Sequence, residues 1–388
     1  MNNKLIFRLI FIICIGVFIR GNIYAKNIDG VIENQLNVVD LEKFENFKEK
    51  TLFGEEYFSQ VTFKKLVIDI VKGEVNLSFK KFSQEIINII FKEFKMQINL
   101  IIQIIIICVF SQLLNTIDLS FNNKSVGEIG FYVVYMVLIL MILKSFNMAF
   151  DITKNTIGEL DVIIKSVFPT LITLVMISGN YTAATTMNMA IVGGMQIIIK
   201  FINEYLLEII FFTVILEITN NISNKKILDH FLKNFKKLLG KILKVIVGLF
   251  IFIMGLQSVT APMVDGIVNK TAKYAINQIP VVGNALSGAV DTVFSCSVLI
   301  KNGVGIGAII LICLYCIIPI IKIIVFIITY KVAASLIEPI SDSRIVNCIS
   351  GIGDYCNLLL GVLFTVSIIF IASIAILVGG TNLTMLMR

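Results

Sequence analysis

The segment Val304–Ile328 has the sequence VGIGAIILICLYCIIPIIKIIVFII, and Lys322 is its single charged residue. As an α-helix it would be about 37 Å long, more than the roughly 30 Å hydrocarbon core of a bilayer. Similar apolar runs recur along the chain of 388 residues, which is 57% hydrophobic and only 15% charged. The sequence therefore predicts an all-α, polytopic helical membrane protein that passes several times through the cell membrane.

Eight crossings are predicted in the polytopic region 95–388. Besides Val304–Ile328 they are placed at about 96–117, 129–150, 162–178, 184–219 (two short segments), 245–261 and 358–379. The stretch 184–219 would be about 54 Å long as one helix, and Asn203 and Glu204 interrupt it near the middle. A single crossing there would place the following lysine-rich loop outside, against the positive-inside tendency. We therefore predict a hairpin that turns at Asn203.

The first 25 residues have the features of a secretory signal peptide. Lys4 and Arg8 precede an apolar run, and Ala25 supplies a small residue before the expected cleavage site. Ile23 occupies position −3, where a small residue is preferred, so an uncleaved anchor is the alternative. Either form delivers the following residues to the extracytosolic side.

Residues 26–94 combine many charged residues with apolar residues at helical spacing, among them Phe58, Leu66 and Ile70. This pattern is typical of short amphipathic helices, and the high aromatic content argues against disorder. We predict a small extracytosolic helical domain that packs on the membrane or on a partner.

The net charge of +7 does not point to a nucleic-acid partner, because of where the charge lies. Seven lysines cluster between residues 225 and 244, where they alternate with apolar residues. This arrangement predicts a basic, cytosolic amphipathic helix at 220–244 that contacts anionic lipids. His230, the single histidine of the chain, is expected to be a solvated residue of that helix.

The block Gly255–Gly305 fits neither a solvated loop nor a span, because prolines, glycines and ionisable groups alternate with apolar residues. Irregular backbone at membrane depth is tolerated only where protein or a wet cavity surrounds it. We predict a re-entrant or interfacial element on the extracytosolic side, with a docking or channel role. Its candidate functional residues are Pro262, Asp265, Lys270, Lys273, Pro280, Gly283, Gly288, Asp291 and Lys301.

Further candidates lie in or beside the predicted spans, where a charge is costly unless it is paired or hydrated. Lys200, Glu204 and Glu208 are spaced four residues apart, so a continuous helix would place them on one face as a polar stripe. Snorkelling beside the predicted turn is the alternative for the first two. The remaining candidates are Lys322 and, in the predicted cytosolic connector, Glu338, Pro339 and Asp342.

Catalytic motifs are absent from the sequence, which contains no HExxH, no Walker glycine loop and no GxSxG. Cys313 and Cys316 have CxxC spacing, but they lie in an apolar span, where packing is the simpler explanation. We therefore predict that the chain is not an enzyme and has no cofactor and no metal site.

Three segments carry a family resemblance. They are GLQSVTAPMVDGIVNKTAKYA from Gly255, IPVVGNALSGAVDTVFSCSVLIKNGVG from Ile279 and AASLIEPISDSRIVNCISGIGD from Ala333. Together with the order of leader, outer domain and polytopic body, they resemble the stage III sporulation protein AE family of endospore-forming Firmicutes. The resemblance covers about residues 165–380.

The resemblance implies a permease-like structural or channel subunit of a membrane complex that links the mother cell and the forespore. Such a complex is needed for spore development after engulfment, and the implied partners are its other membrane subunits, including a separate ATPase. The intramembrane charges leave a stand-alone secondary transporter as the alternative, although the two halves show no convincing self-similarity.

Overall fold

The computed structural model describes residues 63–72, 79–121, 124–222, 227–278 and 283–382. Regular structure in these ranges is helical throughout, which confirms the all-α prediction. The helices are α1 (Phe63–Lys72), α2 (Phe79–Phe121), α3 (Lys124–Ile177), α4 (Tyr181–Phe201), α5 (Leu207–Ile222), α6 (Asp229–Asn277), α7 (Gly283–Ile337) and α8 (Ser343–Gly380). The predicted signal peptide at 1–25 and residues 26–62 of the predicted outer domain lie outside the described residues.

Five of these helices, α2, α3, α6, α7 and α8, are long and apolar enough to cross a membrane. Several such helices in one chain make it a multi-pass membrane protein, as the composition predicts. α7 and α8 have the most buried apolar segments of the five and form the centre of the bundle.

The predicted hairpin at Asn203 is wrong. α4 and α5 are joined by the π-helix Ile202–Leu206, so the chain continues as one helix from Tyr181 to Ile222. A π-helical turn accommodates an extra residue without reversing the chain. The polar pair Asn203 and Glu204 therefore marks a local widening of the helix and not a turn.

The predicted spans 129–150 and 162–178 also belong to one helix, α3, whose 54 residues extend about 81 Å. The charged stretch between them is helical because its side chains have partners. Lys165 pairs with Asp161 one turn away at 2.7 Å, and Lys154 pairs with a carboxylate of α5. The eight predicted segments therefore fall in fewer, longer helices: the part of the chain that the structure describes contains five helices long and apolar enough to cross a membrane, and α4–α5 continues beside them as one further helix.

Glycines produce the closest helix contacts at the centre of the bundle. α7 and α8 run antiparallel, and a Cβ added at Gly305 would lie 2.5 Å from a side-chain carbon of α8. On another side of α7, Gly303 and Gly307 face Val71 and Phe63 of α1. Small residues four apart let two helices approach closely, and here they form the groove in which α1 lies.

α1, which falls in the predicted outer domain, packs on the bundle. Its residues Phe63, Leu66 and Val67 are at most 5% exposed. Burial of each such side chain contributes about 1.5–3 kcal/mol, enough to hold this short helix against α7. The predicted domain boundary at residue 94 lies inside α2, which runs without interruption into the first predicted span.

The described parts of the block Gly255–Gly305 are regular helix and not irregular backbone. Its first part is the C-terminal portion of α6, which continues through Pro262, and its second part is the N-terminal portion of α7. Proline is tolerated within such helices because neighbouring groups satisfy the freed carbonyl. The basic helix predicted at 220–244 is likewise the beginning of α6 from Asp229 onward, and Leu239 is buried in the bundle.

Candidate functional site

A buried carboxylate joins three helices at one end of the bundle. Glu217 of α5 is 8% exposed, and the ammonium of Lys236 in α6 lies 3.0 Å from its Oε2. Tyr355 of α8 donates its hydroxyl to the same oxygen at 3.3 Å, and Asn221 donates its side-chain amide to Oε1 at 3.4 Å. These four residues and Gly351 of α8 are called the Glu217 cluster below.

Gly351 leaves the space that the carboxylate occupies. A Cβ at this position would lie 2.8 Å from Glu217 Oε1 and 3.1 Å from its Cδ. The ammonium of Lys236 also lies 4.4 Å from the ring centroid of Tyr355, a cation–π distance. The buried carboxylate is therefore surrounded by an ammonium, a hydroxyl and an amide that contact its two oxygens.

Lys331 of α7 extends these polar contacts across α8. Its ammonium lies 2.6 Å from Asp354 Oδ1 and 3.0 Å from Ser350 Oγ, and Asp354 also reaches Lys236 at 4.0 Å. The Lys331 and Asp354 side chains are 42% and 52% exposed, so their pair contributes about 0–1 kcal/mol. The Lys236 and Glu217 side chains are only 18% and 11% exposed, and removing one of them would cost up to about 3–5 kcal/mol.

At the opposite end of the bundle, Asp265 of α6 caps a different helix. It is 3% exposed, and its two carboxylate oxygens accept the backbone N–H groups of Thr182 and Ala183 at 2.8 Å each. A carboxylate at a helix N-terminus satisfies free N–H groups and interacts favourably with the helix dipole. Asn269 donates to the carbonyl of Gly179, which has a φ of 80°, so the α3–α4 turn is fixed to α6 at two points.

Lys301 is fully buried in α7 toward the same end of the bundle. Its ammonium donates to Thr381 Oγ1 at 2.7 Å and to Asn382 Oδ1 at 2.8 Å, just past the last turn of α8. Among the described residues it has no carboxylate within 4.0 Å. The partial negative charge at the C-terminal end of α8 offsets part of the buried positive charge, so Lys301 ties α7 to α8.

Between the two ends, several charged side chains of α3 and of the α4–α5 helix are exposed on the outer surface. Lys154 of α3 pairs with Glu208 of α5 at 3.1 Å, and the two side chains are 46% and 55% exposed. Glu159, Lys200 and Glu204 are also exposed, and Glu159 lies toward α7, where it accepts the hydroxyl of Tyr315. These five residues are called the charged face. All three residues of the predicted polar stripe belong to it, and α3 adds the other two.

Further polar contacts cross the middle of the bundle. Lys322 of α7, predicted as an intramembrane charge, lies 3.7 Å from Glu93 Oε1 of α2. Tyr315 of α7 donates its hydroxyl to Glu159. Gln196 of α4 donates its side-chain amide to Asp161 of α3 at 2.5 Å. Lys322, Glu159 and Asp161 thus each contact a polar group of another helix.

The remaining predicted site residues are not brought together. Pro262 is buried within α6, and Lys270 is exposed on the same helix. Glu338 and Pro339 are exposed beyond the end of α7, and Asp342 caps α8 by accepting a backbone N–H of its first turn at 2.8 Å. Lys273 is partly buried. Four candidates have side chains outside the described residues: Pro280, Gly283, Gly288 and Asp291.

The Glu217 cluster is not among the sites predicted from the sequence. Glu217 stands alone in the apolar run VILEIT, and Lys236 is one of seven lysines in the following segment, so neither residue is conspicuous. A usable signal was present, because an isolated carboxylate within an apolar helix requires a basic or hydrogen-bonding partner. The nearby lysines are the obvious source of one, although only the fold selects Lys236 among them.

Metal ligands do not gather in the part of the chain that the structure describes, where no three His, Cys, Asp or Glu side chains could hold an ion together. Cys313 and Cys316 are both free thiols, and Cys316 is buried. The polar clusters of this region consist of ion pairs and helix caps.

Comparison with known proteins identifies the family. The family model for Stage III sporulation protein AE matches residues 61–381, which confirms the resemblance noted in the sequence. Stage III sporulation protein AE of Bacillus subtilis (strain 168) is 28% identical over 324 residues, covering 83% of this chain and 81% of the relative. No solved structure matches. Since the family model covers well over half of the sequence and nearly all of the described helices, the chain belongs to the Stage III sporulation protein AE family.

Proposed function

We propose that this chain is a permease-like structural or channel subunit of a sporulation transport complex that links the mother cell and the forespore. In this role it is needed for spore development after engulfment. The observation that carries the proposal is the family match over residues 61–381, which spans the helix bundle, since membership of this family supports a sporulation role.

The charged face supports a role as a subunit of a larger assembly. It lies near the middle of α3, a helix long and apolar enough to cross a membrane, and on the adjacent α4–α5 helix. Exposed charges in such helices are costly in lipid, and they typically face protein or a water-filled cavity. A partner subunit or a water-filled path at this face would remove that cost.

The proposed location is the mother-cell membrane, with a signal peptide at 1–25 and an extracytosolic N-terminal region. Lys233, Lys237 and Lys241 are exposed along the first turns of α6. This distribution favours a cytosolic position for that end, in contact with anionic lipids. We propose that the chain has no catalytic activity and no nucleic-acid partner, and that a separate ATPase subunit supplies energy.

A clean deletion in a spore-forming host tests the role. We expect normal vegetative growth, arrest after engulfment and loss of heat-resistant spores, with recovery when a wild-type copy is supplied at another locus. A normal yield of heat-resistant spores from the deletion strain would contradict the proposal.

The second candidate function is a stand-alone secondary transporter, and the π-helix Ile202–Leu206 favours it. π-helical turns within α-helices are frequent at functional sites, and this one carries Glu204 next to Lys200. The transporter requires substrate flux into proteoliposomes that contain this chain alone, with less flux for Lys322→Ala than for the exposed control Lys270→Ala. A subunit that works only in a complex gives no flux in this experiment.

A further inference from the structure

Tyr315 and Lys322 lie two turns apart on one face of α7, and each contacts a carboxylate of another helix. Tyr315 donates its hydroxyl to Glu159 of α3, and the ammonium of Lys322 lies 3.7 Å from Glu93 Oε1 of α2. Residues seven apart on an α-helix differ by only about 20° around its axis, so α2 and α3 border the same face of α7. Both contacts fall in the apolar run of α7, where polar groups are costly unless they are paired or hydrated.

Thr329 continues this face of α7, seven residues after Lys322. It is fully buried, and its Oγ1 makes no hydrogen bond to the described residues. Other buried threonines of the bundle behave differently, because Thr153 and Thr213 donate their hydroxyls to the carbonyl four residues earlier. The Thr329 hydroxyl is therefore left for a partner outside its own helix. A buried polar atom without a protein partner is commonly hydrogen-bonded by ordered water.

A second buried hydroxyl lies at the level of Thr329 on a different helix. Ser145 of α3 is 5% exposed, and its Oγ also makes no hydrogen bond to the described residues. It lies about one turn from Ile142, whose carbonyl accepts the hydroxyl of Tyr330 in α7. Since Tyr330 directly follows Thr329, this contact brings Ser145 to the same depth of the bundle.

Pro319 adds a hydrogen-bond acceptor between Tyr315 and Lys322. Proline has no N–H, so the carbonyl of Tyr315, four residues earlier, loses its helical donor. Ordered water or a neighbouring side chain satisfies such a carbonyl in a membrane helix. Polar groups thus follow one another along this side of α7. The α7 seam is the name used below for Glu93, Ser145, Glu159, Tyr315, Lys322 and Thr329.

We propose that the α7 seam is a hydrated path for small cations. Water in the seam gives Thr329 and Ser145 the partners that they lack within the protein, and it bridges the gaps of about 10 Å between successive polar residues of α7. Two carboxylates face one ammonium in the seam, so its charge favours cations over anions. Glu159 is exposed at one end of the seam and Thr329 is buried at the other, so the path narrows toward Thr329.

Hydration of the seam does not depend on the proposed role in sporulation, so it is tested on the purified full chain in detergent. With native cysteines replaced by serine, Thr329→Cys places a thiol in the seam with little change in volume. Its rate of modification is measured with two methanethiosulfonate reagents of similar size, one carrying a trimethylammonium group and the other a sulfonate group. Both are expected to react, the cationic reagent roughly tenfold faster, because a negatively charged cleft concentrates cations.

Ala334→Cys is the matched control for access. Ala334 is 5% exposed and lies on the opposite side of α7, nearer to the end of the helix, so fraying of that end would expose it before Thr329. No modification of Ala334→Cys is expected in the folded protein. Glu93→Gln in the Thr329→Cys background is expected to bring the two rates close together, because one carboxylate then faces one ammonium. Glu338→Gln, at an exposed carboxylate beyond α7, is expected to leave their ratio unchanged.

Ser145→Cys supplies a second thiol at the same depth on α3, and melting temperatures show which variants fold. Folded variants at Thr329 and Ser145 that react with neither reagent would show that the seam is dry. Faster reaction with the sulfonate reagent would exclude a path for cations, and equal modification of Ala334→Cys would show that the whole bundle opens. Each of these results would overturn the proposal, and the spore yield of a deletion strain bears on none of them.

Discussion

Gly351 determines whether Glu217 and Lys236 can pair, and its replacement by alanine is the sharpest test of the Glu217 cluster. The added Cβ would lie 2.8 Å from Glu217 Oε1, 3.1 Å from Cδ and 3.2 Å from Cγ. The Glu217 side chain must then shift, and we expect its carboxylate to turn away from α8. The 3.0 Å contact with Lys236 and the hydrogen bond from Tyr355 are lost together.

The expected net destabilisation by Gly351→Ala is about 1–2 kcal/mol. Breaking a buried pair costs up to about 3–5 kcal/mol, but the side chains of Glu217 and Lys236 keep 11% and 18% of their exposure, so partial hydration reduces this to about 2–3. Alanine in place of glycine within a helix contributes about 1 kcal/mol in the opposite direction. The expected change is a fall in melting temperature of about 2–4 °C in detergent.

Gly248→Ala is the matched control for this measurement. Gly248 also lies in a long helix, and an added Cβ there meets nothing within 4 Å. Only the gain in helix propensity applies, so its melting temperature is expected to rise by about 2 °C. Equal melting temperatures for the two variants would refute the reasoning, because they would show that the Glu217 cluster contributes nothing. In a double-mutant cycle, Glu217→Asp should relieve part of the Gly351→Ala effect, since the shorter side chain withdraws its carboxylate.

Three further predictions concern the other end of the bundle and its orientation. Asp265→Ala should lower the free energy of unfolding by about 1–2 kcal/mol, because two N–H groups of α4 lose their acceptor; an unchanged melting temperature would contradict this. Lys301→Met should be less destabilising than Thr381→Val, because Lys301→Met removes a buried charge whereas Thr381→Val leaves that charge with one acceptor fewer. The reverse order of melting temperatures would count against the contact between Lys301 and Thr381. With native cysteines replaced by serine, Lys270→Cys should react with an impermeant maleimide from outside, whereas His230→Cys should react only after permeabilisation. The reason is that about 60 Å of α6 separates the two positions. Labelling of both from outside would exclude the proposed orientation.

The fold class could be predicted from the sequence because it depends on local composition. Each long apolar run specifies a membrane helix without reference to the rest of the chain. The number of crossings could not be predicted, since it depends on contacts between distant segments. The charged stretch 151–165 resembles a loop until Glu208 and Gln196 are known to lie beside it.

For the candidate residues too, the sequence shows the unusual residue but not its partners. Asp265 could be recognised as an unusual carboxylate in an apolar setting, but its partners Thr182 and Ala183 lie more than 80 positions away along the chain. The glycines of GVGIG (303–307) straddle the predicted boundary between the block Gly255–Gly305 and the apolar span, and nothing in the sequence shows that alternate glycines face α1 and α8. Whether a glycine allows a close helix contact depends on which residue of another helix faces it, and the sequence alone does not show that residue.

The interruption at Asn203 shows how a correct signal can receive the wrong structural meaning. Buried residues recur every fourth position along α4, from Ala183 to Ile199, and again every fourth position from Ile202 to Ile218. On an ordinary helix of 3.6 residues per turn, a four-residue spacing drifts steadily around the axis, so the buried stripe would leave the bundle. The wider π-helical turn Ile202–Leu206 slows that drift at the midpoint and allows a single helix to stay packed along its length. Lys200, Glu204 and Glu208 are exposed along this helix, so Glu204, which with Asn203 suggested a chain reversal, lies instead on the outer side of one continuous helix.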